Sequence, residues 1–230
     1  NPEVSVITNI GLDHTQFLGT TLESIAVEKA GIIKSNTPIV IGETQSEIES
    51  VFRDKASEEQ ATIYFADQLI KEIYPSVLKG EYQIKNVRTV LQTIAIINKG
   101  EFIVSEESIR LGLMKVSEST GLRGRWDVLG YSPKIICDTA HNLEGLRLVF
   151  KQIKDEKFHQ LHLVIGIVDD KDLNSLLGLF PTDAQYYFCK PNVHRGLDVH
   201  RLAESFNEKG LNGSIHSSVK SALNSAKEIA

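Results

Sequence analysis

The sequence predicts an α/β protein in two parts, and three observations carry that expectation. Short β-branched runs alternate with apolar stripes of helical period, a pattern that favours parallel sheets covered by helices. A small, polar, glycine-containing stretch, SESTGLRG at residues 117–124, separates an irregular first half from a regular second half. That second half strings four strand–helix units in a row, as a doubly wound, Rossmann-like and mostly parallel sheet requires. Domains over residues 1–119 and 120–230 follow.

In the first half, Val4, Val6, Ile7 and Ile10 form an apolar run that reads as a strand. Gly11 breaks it and sets Asp13 and His14 at its exit. A helix follows, with Thr20 and Glu23 at capping-box spacing and Gly31 just past its end. Leu22, Ile25, Ala26 and Lys29 recur at i, i+3, i+4 and i+7, which puts an amine on the buried stripe. A lysine there either runs its stem along apolar surface to water or stays dry, where burial favours the neutral amine. A neutral amine can add carbon dioxide to give a carbamate, an anion suited to a hard cation, and His14 is placed to share such a site. Alone, a histidine at a turn is as compatible with a core or turn role, and magnesium prefers oxygen donors.

Pro38 to Gly42 reads as a buried strand, Ile48, Val51 and Phe52 as a helix, and residues 62–66 as another strand. Residues 67–85, punctuated by Pro75 and Gly80, are expected to hold a loop and at most an edge strand. Asn86 is expected to open the next helix as its N-cap, with Val87, Val90, Leu91, Ile94 and Ile97 as the apolar stripe and Gly100 as the stop. A further helix follows Ser105, with Glu106 and Glu107 in its first turn.

Beyond the boundary, strands are expected at residues 134–138, 161–166, 184–189 and 214–216. Each is followed by a helix, marked in turn by Leu146 and Phe150, Leu173 and Phe180, Leu202 and Phe206, and Ala222 and Ala226. Ligands of open parallel sheets sit at the carboxyl ends of the strands. Asp138 lies at such an end, with His141 and Asn142 in the turn after it; Asp138 or Asn142 is equally suited to cap the helix.

The 230 residues carry 41% hydrophobic and 24% charged side chains, ordinary globular values. A net charge of −5 and scattered basic residues argue against a general nucleic-acid binder. No apolar run approaches the ~20 residues of a membrane span. Cys137 and Cys189 each sit in an apolar run and are read as reduced core residues of a cytoplasmic protein. The chain opens on Asn1-Pro2 without an initiator methionine and stops on a helix at Ala230, so it is expected to be a fragment.

Asn9-Ile10-Gly11-Leu12-Asp13-His14 followed by Glu28-Lys29-Ala30-Gly31-Ile32 resembles the folylpolyglutamate synthase/dihydrofolate synthase branch of the Mur ligases. So do Asp138-Thr139-Ala140-His141-Asn142, the upstream Gly124-Arg125-Trp126, and the spacing of Tyr82-Gln83 to Asn86. The resemblance implies that residues 1–119 are the later part of a P-loop-type central domain and 120–230 the Rossmann-like C-terminal domain. It implies metal binding by His14 and a carbamylated Lys29, an adenine contact by Asn86, and ATP phosphate and ribose contacts by Arg125 and Asp138. It places His141 in the active site, so that Lys29, Asp138 and His141 form the catalytic set. The implied cofactors are ATP and Mg2+. The implied reaction adds L-glutamate to folate or dihydropteroate through an acyl phosphate, with no nucleic-acid or membrane partner.

Two other readings stay open: another Mur-type amide ligase of cell-wall precursor synthesis, and a non-catalytic nucleotide-binding module. Arg123 and Leu143 stand where the family carries prolines, and Trp126 where it carries phenylalanine. No G-x-x-x-x-G-K-[ST] pattern occurs in the chain, so these residues alone are expected to be inactive.

Overall fold

A computed structural model describes residues 2–12, 18–169 and 173–230. The chain forms two compact units, residues 1–127 and 128–230, each with its own parallel sheet.

The first unit is built on β1 (Ser5–Ile7), β2 (Ile39–Ile41) and β3 (Ile63–Phe65), paired in that order and all parallel. Alternation along β2 sends Ile39 and Ile41 to one face and Val40 to the other. On the first face, α1 (Leu22–Ala30) and α2 (Glu49–Glu58) bury Ile25, Ala26, Ala30, Phe52 and Ala56 against Ile7, Ile39, Ile41 and Phe65. On the other, Val40 packs with Ala66 of α3 (Ala66–Leu69) and Ile96 of α4 (Glu81–Ile97). Then come α5 (Glu106–Met114), capped by Ser105 through the Ser108 N–H, and the short α6 (Val116–Thr120).

Several expectations need correction here. The capping box of α1 is Thr21 with Ser24, one residue later than Thr20 and Glu23. Lys29 is half-buried rather than buried, because the stripe that meets the sheet runs through Ile25, Ala26 and Ala30. Residues 67–85 contain the end of α3 and the start of α4. Asn86 is no N-cap: α4 already starts at Glu81 after Gly80, whose φ of +120° only glycine adopts freely. The buried face of α4 is partly polar, with Gln83, Thr89 and Gln92 beside Val87 and Ile96, while Val90 is exposed.

The second unit opens with β4 (Asp127–Tyr131), unforeseen in the sequence, which pairs with β5 (Lys134–Cys137) across a tight turn. After α7 (Leu143–Lys154) comes a parallel sheet of β6 (His162–Ile165), β7 (Gln185–Cys189) and β8 (Gly213–His216). Among the described residues β5 is hydrogen-bonded to β4, so three of the four anticipated strands share the parallel sheet.

One face of that sheet buries Tyr186 and Phe188 against α8 (Leu173–Leu177) and α9 (Val199–Asn207), with Phe180 and Phe206 completing an aromatic cluster of edge-to-face contacts. The other face buries Tyr187 and Cys189 against Ala222 and Ala226 of α10 (Val219–Ile229). Burial pushes the Cys189 thiol above its ordinary pKa, as an inert core cysteine requires. Neither cysteine is in a disulfide, and Cys137 is only half-buried. No helix among the described residues is long and apolar enough to cross a membrane.

Candidate functional site

Of the polar residues singled out in the sequence, Asp138 and His141 follow the end of β5 and Asn86 lies near the start of α4, whereas Lys29 lies in the last turn of α1. In the first unit the carboxyl ends of the strands carry three exits tied to one another. Past β1, Ile10 is 1% exposed, and the side-chain amide of Gln45 grips both of its backbone groups. The Ile10 N–H donates to Gln45 Oε1 at 2.8 Å, and Gln45 Nε2 donates to the Ile10 carbonyl at 2.9 Å. Past β2, Thr44 donates its N–H and hydroxyl to the two carboxylate oxygens of Asp67, at 2.9 and 2.8 Å, just past β3. Gln68 Nε2 adds a third bond to the Thr44 hydroxyl at 2.9 Å.

Helix α4 closes on the same end of the sheet. A Cβ on Gly42 would lie 2.4 Å from the Thr8 carbonyl oxygen and 2.5 Å from Thr89 Oγ1, so only glycine lets α4 approach this far. Lys85 on α4 pairs with Glu43. Asn86, exposed in the second turn of α4, donates Nδ2 to Oε1 of the buried Gln83 at 3.0 Å. That bond leaves the Asn86 amide with its oxygen and a second N–H for a ligand.

Lys29 lies in the last turn of α1, in the same unit. Asp13 and His14 lie outside the described residues, and among the described residues no three histidines, cysteines or acids gather into a metal site. The described donors therefore do not by themselves make a magnesium site. The structure brings Lys29 and Asn86 into one unit without a hydrogen bond between them among the described residues.

Arg125 closes the first unit. It is exposed between the buried Gly124 and the 5% exposed Trp126, whose φ angles of +73° and +53° both lie in the left-handed region. Left-handed backbone is rare for a large side chain and gathers at functional sites. The geometry anchors the ring of Trp126 and presents the guanidinium of Arg125, which donates to the Gly124 carbonyl at 3.2 Å.

In the second unit Asp138, Thr139, Ala140, His141 and Asn142 make one compact turn from β5 to α7. Asp138 Oδ1 accepts the Ala140 N–H at 2.8 Å, which curls the chain after the strand. His141 Nδ1 lies 2.9 Å from the Thr139 carbonyl oxygen. A carbonyl only accepts, so Nδ1 carries the proton of that bond and Nε2 is the basic nitrogen of the neutral ring. Asn142 caps α7 by accepting the Gly145 N–H at 2.8 Å, settling which of the two residues caps the helix. Asp138 and His141 are thus brought together, with the positive end of α7 beside them.

Asp170, Lys171 and Asp172 lie outside the described residues. Ser218 is the N-cap of α10, and His194 and Arg195 are exposed after β7. Sequence reasoning missed Gln45, Glu43, Thr44 and Asp67; polar residues directly after β-branched runs were the available signal.

Residues 124–230 match the family described as Mur ligase, glutamate ligase domain. The dihydrofolate synthase/folylpolyglutamate synthase of Escherichia coli is 30% identical over 97% of this chain and 54% of its own length. A probable bifunctional folylpolyglutamate synthase/dihydropteroate synthase of Haloferax volcanii is 29% identical over 93% of the chain and 27% of its own. Escherichia coli FolC in complex with DHPP and ADP superposes with a TM-score of 0.79 at 28% identity, over 99% of this chain and 56% of that one. A bifunctional folylpolyglutamate synthase/dihydrofolate synthase with Mn, AMPPNP and L-glutamate bound gives the same four values. Mycobacterium tuberculosis folylpolyglutamate synthase, at 23% identity and a TM-score of 0.85, speaks for the fold alone. The chain spans about half or less of the length of the curated relatives it matches. Residues 124–230 thus match the glutamate ligase domain of the Mur ligases, and the chain as a whole is similar to the later part of the dihydrofolate synthase/folylpolyglutamate synthases.

Proposed function

We propose that these residues form part of an ATP-dependent amide ligase that joins L-glutamate to folate or dihydropteroate. In the proposed reaction the γ-phosphoryl group of ATP passes to the substrate carboxylate, giving an acyl phosphate and ADP. The glutamate amine then attacks the acyl carbon, and inorganic phosphate leaves. The single observation that carries this reading is the Asp138–Asn142 turn: a carboxylate and an imidazole at a strand exit beside a helix N-terminus, within the region matching the glutamate ligase domain.

Within this reading Asn86 holds adenine, since its amide keeps one donor and one acceptor beyond its bond to Gln83. Arg125 holds phosphate, for which a planar guanidinium is suited bidentately. Asp138 accepts from the ribose hydroxyls. His141, through Nε2, is placed to take a proton from the glutamate ammonium group, freeing the amine that attacks. Water exclusion protects the acyl phosphate, which hydrolyses readily. His14 and a carbamylated Lys29 would hold a divalent cation, which would offset phosphoryl charge. A phosphate-binding loop of the kind absent from these residues is supplied by the remaining length of the ligase. A cytoplasmic setting suits these substrates.

The test is isotope transfer in the complete ligase. With both carboxylate oxygens of the folate substrate labelled with 18O, the released phosphate is expected to carry one label per amide formed. Unlabelled phosphate alongside normal turnover refutes the acyl-phosphate route.

A further inference from the structure

The turn after β2 takes hold of a single turn of α4. Gly42 sits against Thr89, and Glu43 pairs with Lys85. Thr89 Oγ1 donates to the Lys85 carbonyl at 2.9 Å, so the two gripped residues are themselves linked. They bracket Asn86. The gripping turn is in turn fixed, since Thr44 is locked to Asp67 and Gln68, and Gln45 to Ile10. The amide of Asn86 is already oriented by Gln83. The remaining freedom at this point is the position of the helix turn over the sheet, and the Glu43–Lys85 pair restrains it.

We infer that Glu43 is a positioning residue for the nucleotide: through Lys85 it fixes where the helix turn carrying Asn86 stands over the ends of the strands. The inference rests on the reading of Asn86 as the adenine contact. The side chains of Glu43 and Lys85 are 21% and 47% exposed, so the pair adds little to global stability. Its effect is on placement, which a folding assay does not register.

The experiment measures KM for ATP, kcat and melting temperature in the complete ligase for Glu43→Gln, Glu43→Lys, the exchanged pair Glu43→Lys/Lys85→Glu, and Asn86→Ala. Glu43→Lys is expected to raise KM for ATP about fivefold, with kcat and melting temperature nearly unchanged. Glu43→Gln is expected to give a smaller rise, and the exchanged pair to recover most of the loss. If Asn86→Ala raises KM while neither Glu43 variant does, or if the exchange restores nothing, the inference is wrong and the adenine reading stands. If Asn86→Ala leaves KM unchanged, the adenine reading falls and takes the inference with it.

Discussion

The side chain of Gln45 closes a two-way hydrogen bond on the backbone of Ile10, 35 residues earlier in the chain, at 2.8 and 2.9 Å. The amide imitates a neighbouring strand at the point where β1 runs out of partners. A buried backbone N–H and C=O would otherwise go unsatisfied, and Ile10 is 1% exposed. Gln45→Ala is therefore expected to lower unfolding free energy by about 1–3 kcal/mol, read from urea denaturation. Gln45→Glu keeps the acceptor but loses the donor and should recover only part of it. An unchanged midpoint for Gln45→Ala would show that water replaces the clamp without cost.

Asn142 caps α7 through the Gly145 N–H, and its neighbours His141 and Asp138 depend on that turn. Asn142→Ala is expected to cost about 1 kcal/mol, with Asn142→Asp close to wild type. Thermal melts of the three proteins check the order.

The Tyr186 hydroxyl is 2.5 Å from the Pro181 carbonyl oxygen, and burial first, then the charge of Asp183, pushes its pKa far above the usual tyrosine value. Burial raises the Tyr187 hydroxyl as well. Above pH ~10 the unfolded chain loses these protons while the folded one keeps them, so stability falls as pH rises past that point. Tyr186→Phe removes one of the two titrations, and its stability should fall less steeply with alkaline pH. Identical slopes for the two proteins would contradict the assignment.

The aromatic cluster of Phe180, Tyr186, Phe188 and Phe206 holds the second unit together. Phe206 is fully buried, and Phe206→Ala is expected to cost about 3–5 kcal/mol in chemical denaturation. A loss under ~1 kcal/mol would mean that the cluster closes over the cavity.

How far the sequence disclosed this molecule depended on the kind of residue. β2, β7 and α10 are uninterrupted in pattern, and each lies where periodicity puts it. The start of α4 was hidden because its buried face carries Gln83, Thr89 and Gln92, which an apolar-stripe criterion discards in favour of Val90. β4 escaped because Asp127, Gly130 and Tyr131 spoil its alternation, and pairing with β5 rather than burial sustains it. Asp138, His141 and Asn142 were legible as a motif, but only the turn itself separates the capping role of Asn142 from the others. Gln45 and Glu43 carry no motif. Their meaning comes from partners far along the chain.

The most direct test of the central claim is the transfer of labelled L-glutamate to a folate or dihydropteroate substrate by the complete ligase, with ADP counted alongside. The predicted result is one ADP per amide bond, with the rate falling at least tenfold when Asp138 is replaced by alanine. Glutamate transfer that needs no ATP, or a rate indifferent to Asp138→Ala, would contradict it.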